Sequence, residues 1–144
     1  MVIQDVLRAK GGEVVTVHAG DKVAVAVGKL AERRIGAVMV EDLAMRPIGI
    51  FSERDLVNAL ARSGARAYDY EVRELMTSPF ISTRPGERVD AALALMTTQR
   101  IRHLPVVEGD RLVGIVSIGD LVKHRLDEKE LEASVLLDIT RMRG

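Results

Sequence analysis

Cysteine is missing from all 144 residues, which excludes disulfides, thiolate metal sites and a cysteine nucleophile and suits a reducing cytoplasm. Net charge is missing too. The 21 Lys and Arg balance 21 Asp and Glu, so no overall field draws the chain to nucleic acid or to an anionic membrane surface. Apolar runs such as Val23 to Val27 fall far short of the roughly 18 residues a membrane helix needs. The opening MVIQDVLRAKGG breaks any secretory apolar stretch with Gln, Asp, Arg and Lys, so no signal peptide is expected. His18, His103 and His124 are too scattered for an i, i+4 metal pair. No Gly-x-x-x-x-Gly-Lys-Ser/Thr loop offers machinery for triphosphate hydrolysis, and Gly114-x-x-Ser117-x-Gly119 misses the nucleophile elbow by one position. What remains is a soluble globular chain, 47% apolar, with ample material for a core and no sign of an enzyme.

What is present is present twice. GIFSERD (Gly49 to Asp55) reappears as GIVSIGD (Gly114 to Asp120), each followed by Leu-Val, at Leu56-Val57 and Leu121-Val122. Val14 to Val27 aligns with Phe80 to Leu93 at a constant offset; Ile35 then meets Ile101, and Val40 meets Val106. The register slips by one residue between Glu41 and Arg46, opposite Glu108 to Arg111, as an insertion in a loop would make it.

Within each copy the apolar period changes in the same order. Val14 to Val17 and Phe80 to Thr83 read as strands entering turns at Gly20 and at Pro85-Gly86. Val23, Ala26, Val27 and Leu30, like Val89, Ala92, Leu93 and Met96, follow the i, i+3, i+4, i+7 spacing of a helix with one apolar stripe. Two strands follow, Ala37 to Val40 with Pro47 to Ser52, and His103 to Val107 with Arg111 to Ser117, the latter pair joined by a Glu-Gly-Asp hairpin turn. A helix then starts at each Ser-x-x-Asp. The unit is β-α-β-β-α, too small to cover its own sheet, so the expected fold is mixed α+β (α/β), with two pseudo-twofold-related repeats packed sheet to sheet. The organisation expected is repeat 1 over 1–65, repeat 2 over 66–126 and a carboxy-terminal helix over 127–144, with Arg62 to Glu71 as the connection. Leu131, Val135, Ile139 and Met142 form a stripe on that last helix that needs a partner, either the body of the same chain or a second copy.

Ser-x-x-Asp ahead of a helical pattern is first of all a capping box, Ser52 with Asp55 and Ser117 with Asp120. The same geometry also suits a nucleotide. A helix amino terminus favours phosphate, Ser can donate to it, and an ionised Asp one turn on accepts from two ribose hydroxyls.

Gly-apolar-apolar-Ser-x-x-Asp at the end of a strand–strand–helix unit, twice in one chain, resembles a pair of cystathionine-β-synthase (CBS) domains. The likeness runs from Val2 to about Arg125 and is closest in RIRHLPVVEGDRLVGIVSIGDLV. It implies a disc with two clefts that takes AMP, ADP, ATP or related adenosyl ligands, serves as a regulatory sensor in signal transduction, and dimerises. In one cleft it implies adenine beside Val15, Ile35, Gly36 and Ala37, with Ile115, Ser117 and Asp120 arriving from the second repeat. In the other it implies adenine beside Ile81, Ile101 and His103, with Ile50, Ser52 and Asp55 from the first. Arg102 and Arg54 are placed to meet phosphate charge, and Gly119 lets backbone approach the ligand. The clefts are not equivalent: the first repeat has no counterpart of Pro105, and it has Glu53-Arg54 where the second has Ile118-Gly119. The expected function is a nonenzymatic adenine-nucleotide-binding module, a cytoplasmic homodimer acting on a separate regulated protein. The same fold binding NAD or S-adenosylmethionine, and a ligand-free dimerising scaffold, stay open as alternatives.

Overall fold

The computed structural model describes residues 1–143. In the first repeat, β1 (Thr16–His18) runs parallel to β2 (Ala37–Glu41), and β2 pairs antiparallel with β3 (Pro47–Ser52), giving a sheet of order β1-β2-β3. The parallel pair requires a crossover, and α2 (Val23–Arg33) supplies it, burying Val23, Ala26 and Leu30 as their spacing predicts. The one-residue slip is absorbed in a loop where Asp42 Oδ1 accepts from the amides of Ala44 and Arg46, both at 2.9 Å. The helix α3 (Glu53–Ser63) then starts at the first Ser-x-x-Asp. In the second repeat, α5 (Val89–Gln99) precedes β4 (His103–Glu108) and β5 (Arg111–Ser117). These two strands form a hairpin, with Gly109 at φ 63° in the turn between them.

The strand expected at Phe80 to Thr83 does not form. Thr83 alone bridges to Val106, through Thr83 N to Pro105 O at 2.9 Å and Val107 N to Thr83 O at 2.8 Å. In the first repeat the ladder is extended by Met39 N donating to Val15 O and Ala19 N donating to Glu41 O. The equivalent positions in the second repeat are Pro105 and Pro85, which have no N–H. Two prolines therefore shorten the pairing to a single bridge.

The cores do not divide along the chain. Val17, Val38, Val40 and Phe51 of the first repeat enclose Val72 of α4 (Val72–Leu75), which lies beyond the connecting 3₁₀ turn at Gly64–Asp69. Leu104, Val106, Val116 and Leu121 of the second enclose Ile3, Val6 and Leu7 of α1 (Ile3–Lys10). The leading helix of each repeat is thus built into the other. Matching hydrogen bonds fix the exchange: Ile3 N to Glu87 O and Gln4 N to Pro85 O on one side, Val72 N to Asp21 O and Arg73 N to Ala19 O on the other. Each leader presses one side chain onto the Gly of the repeated motif. A Cβ built on Gly114 would stand 2.6 Å from Leu7 Cδ2, and one on Gly49 would stand 2.7 Å from Met76 Sδ.

No separate helix begins at Asp127. One helix, α6 (Ile118–Arg143), runs unbroken from the second motif, because the segment around Leu126 to Glu130 contains no Gly or Pro to stop it. Gly144 lies outside the described residues. At about 1.5 Å per residue the helix is roughly 39 Å long, and Leu131, Val135, Ile139 and Met142 are all exposed.

Candidate ligand-binding site

Both Ser-x-x-Asp motifs fold as capping boxes. Asp55 N donates to Ser52 Oγ at 3.5 Å, and Ser52 N donates back to Asp55 Oδ2 at 2.9 Å. At the second motif the same bonds are 3.0 Å, from Asp120 N to Ser117 Oγ, and 2.8 Å, from Ser117 N to Asp120 Oδ2. Each cap stabilises its helix by about 1 kcal/mol and holds a half-buried carboxylate at the positive end of the helix dipole.

The surroundings of the two carboxylates differ. Asp55 is engaged at both oxygens, since Thr77 Oγ1 donates to Oδ1 at 3.1 Å while Oδ2 closes the cap. Asp120 meets a cation instead. Lys10 Nζ, at the end of α1, donates to Oδ2 at 2.6 Å and to the Ile115 carbonyl at 2.7 Å. Among the described residues nothing donates to Asp120 Oδ1. Burial pushes the Asp120 carboxyl up, but Lys10 and the Ser117 amide and hydroxyl outweigh it and hold the group below its ordinary value.

His103 stands between the repeats. A Cβ on Gly36 would lie 2.7 Å from His103 Cε1, so only glycine lets the imidazole sit against the start of β2. Burial lowers its pKa; Lys10 and Arg102 act in the same direction, and Glu53 and Asp120 oppose them. In the β4–β5 ladder His103 lies opposite Ser117, and in β2–β3 Ala37 lies opposite Ser52. Gly36, expected in the Asp120 cleft, and His103, expected in the Asp55 cleft, are therefore neighbours at one seam. Matching bonds tie each closing helix to its sheet, Glu53 N to Gly36 O at 3.0 Å and Ile118 N to Arg102 O at 2.8 Å.

The other expected residues are placed as follows. Val15 and Ile35 are half-buried against the first core, and Ile101 packs on the second. Ile50 exchanges backbone bonds with Thr77 at 3.0 and 2.8 Å. Ile81 is exposed, as are Gly119 and Arg102. Arg54 gives one of its five N–H donors to the second repeat: its Nη1 donates to the Arg100 carbonyl at 2.8 Å and so caps the end of α5. Two surface cavities, of about 640 and 490 Å³, open around Thr83 and Val107 and around Thr16 and Arg111; neither is lined by Asp55 or Asp120. Lys10 and Thr77 went unread in the sequence. For Lys10 a signal existed, because it continues the Ile3, Val6, Leu7 stripe at the i+7 position, where an apolar residue is the norm.

The profile of the CBS domain matches residues 3–62 and 72–127. A CBS-domain-containing protein from Agrobacterium tumefaciens, of solved structure, is 42% identical and superposes with a TM-score of 0.84 over 86% of this chain and 92% of its own. The mitochondrial CBS domain-containing protein CBSX3 of Arabidopsis thaliana is 32% identical over 148 residues, 92% of this chain and 71% of the plant protein. A further CBS domain pair, solved in complex with 5′-methylthioadenosine and S-adenosyl-L-methionine, is 25% identical with a TM-score of 0.79, covering 89% of this chain and 98% of that one. The chain spans less of other curated relatives, 31% of one from Thermofilum pendens and 49% of one from Methanopyrus kandleri.

Proposed function

The chain belongs to the CBS-domain family as a tandem pair, and from that premise we propose that it is a regulatory module that binds an adenosine-containing ligand between its repeats without transforming it. The observation that carries this reading is the Asp120 carboxylate. It is held at a helix start by Ser117 and Lys10, with Oδ1 unclaimed among the described residues, which suits acceptance from a ribose diol. The Ser117 hydroxyl accepts in the cap and lends its own proton to the Asp120 carboxylate, from which it can rotate to donate to phosphate. AMP, ADP and ATP fit this arrangement. S-adenosylmethionine and 5′-methylthioadenosine form a second reading, favoured by the related pair solved with both.

A ligand that touches both repeats favours one mutual arrangement only by its differential affinity for the two. Asp120 lies in the first turn of α6, so a shift there is carried along a rigid helix to its exposed end. A second copy of the chain covering Leu131, Val135 and Ile139 would make the module a homodimer.

Calorimetric titration with AMP, ATP, NAD, S-adenosylmethionine and 5′-methylthioadenosine tests the reading. Asp120→Ala removes hydrogen bonds to a charged acceptor and is expected to weaken binding by about 1.5–3 kcal/mol, roughly tenfold or more. Unchanged affinity in the variant refutes the assignment of Asp120. Absence of binding across the panel leaves an empty scaffold.

A further inference from the structure

The two carboxylates differ in what is left over once their existing bonds are counted. An ammonium has three N–H donors, and Lys10 uses two, on Ile115 O and Asp120 Oδ2. One donor therefore remains beside a carboxylate whose Oδ1 is still available. The pair offers a donor to an anion and an acceptor to a diol at the same place. Around Asp55 the arrangement differs, because no ammonium donates to it among the described residues. Thr77 gives its one hydroxyl proton to Asp55 Oδ1, which keeps one acceptor position, Oδ2 accepts twice from Ser52, and Arg54 gives one of its five N–H donors to the Arg100 carbonyl.

We infer that Lys10 is a specificity-determining residue that makes the Asp120 groove select a phosphorylated nucleoside over the same nucleoside without its phosphate. The inference rests on the binding reading proposed above and adds the class of ligand and the groove that takes it. Lys10 is placed to follow an incoming phosphate. Its side chain is 37% exposed, its stem is flexible, and Gly11 and Gly12 follow it with no heavy atom within 4 Å of a Cβ built on either. The cation comes from the leader of the first repeat while the carboxylate belongs to the second, so the selecting pair exists only because the leaders are exchanged.

The test compares AMP with adenosine, which differ by the phosphate alone, on the unaltered chain, Lys10→Met and Lys10→Arg. Removing a charged donor is expected to weaken AMP about tenfold or more and to change adenosine by less than about threefold. Arg at this position restores part of the AMP preference. Added salt weakens AMP binding to the unaltered chain more than to Lys10→Met. Equal losses for both ligands would assign Lys10 a purely structural role and overturn the inference, as would AMP affinity indifferent to Lys10. If the unaltered chain binds neither ligand, the reading of the Asp120 groove as an adenosine site fails with it. Thermal melting of each variant shows whether α1 stays docked.

Discussion

Replacing Gly114 with Ala tests the packing that delivers Lys10 to Asp120. The new Cβ would stand 2.6 Å from Leu7 Cδ2, 3.3 Å from Cδ1 and 3.5 Å from Cγ, against an optimal carbon–carbon separation of about 3.5–4.0 Å. Leu7 is only 6% exposed, so turning its methyls away presses them into the surrounding core. Leu7, and α1 with it, must retreat by about 1 Å. Overpacking of this kind costs about 1–3 kcal/mol, and the reduced freedom of the unfolded chain returns about 0.4–1 kcal/mol. A net loss of about 1–2 kcal/mol is expected in urea unfolding followed by circular dichroism. Leu7→Ala alone leaves a cavity and costs about 2–5 kcal/mol. In the double variant the methyl added by Gly114→Ala enters that space, so the two losses should fall short of additivity by about 1 kcal/mol or more. Additivity within about 0.5 kcal/mol would refute the reasoning.

The pH dependence of stability follows from His103. Its folded pKa lies below the ordinary 6.5 because burial disfavours the cation, so between the two values the unfolded chain binds the extra proton and stability rises with pH. Unfolding at a series of pH values should show stability declining as pH falls below 6.5 and levelling once the folded imidazole protonates, with a smaller decline in His103→Gln. On α6, Val135→Glu places a charge in the exposed apolar stripe. Sedimentation is expected to show a smaller particle than the unaltered chain at equal concentration, with little change in the melting temperature of the body. A particle unchanged in size would rule out this face as the dimer contact.

The strands Pro47–Ser52 and Arg111–Ser117 were legible to the residue because a turn opens each and a capping Ser closes it. The stripes of α2 and α5 were legible from their period alone. The exchange of leaders was not. Ile3, Val6 and Leu7 announce an amphipathic helix, but periodicity says that a face is apolar and nothing about which core receives it. The leaders also repeat at a spacing different from that of the units they precede, pairing Val2–Asp5 with Glu71–Glu74, so a single offset passes over them. The missing strand at Phe80 was legible in principle, since Pro85 and Pro105 stand where the other repeat has donors. At the site, Ser117 and Asp120 were visible in the motif, whereas Lys10 and Thr77 reach their carboxylates from other parts of the chain, 110 and 22 residues away.

The crossed leaders bear on how such a protein comes apart. A chain severed in the 3₁₀ turn at Gly64–Asp69 would yield one fragment whose opening helix has lost its bed and another whose opening helix has lost its socket. Neither fragment could close its interior alone, yet the two mixed together hold every piece needed to rebuild the whole. Melting should accordingly be a single event rather than two, with the halves surviving or failing as one.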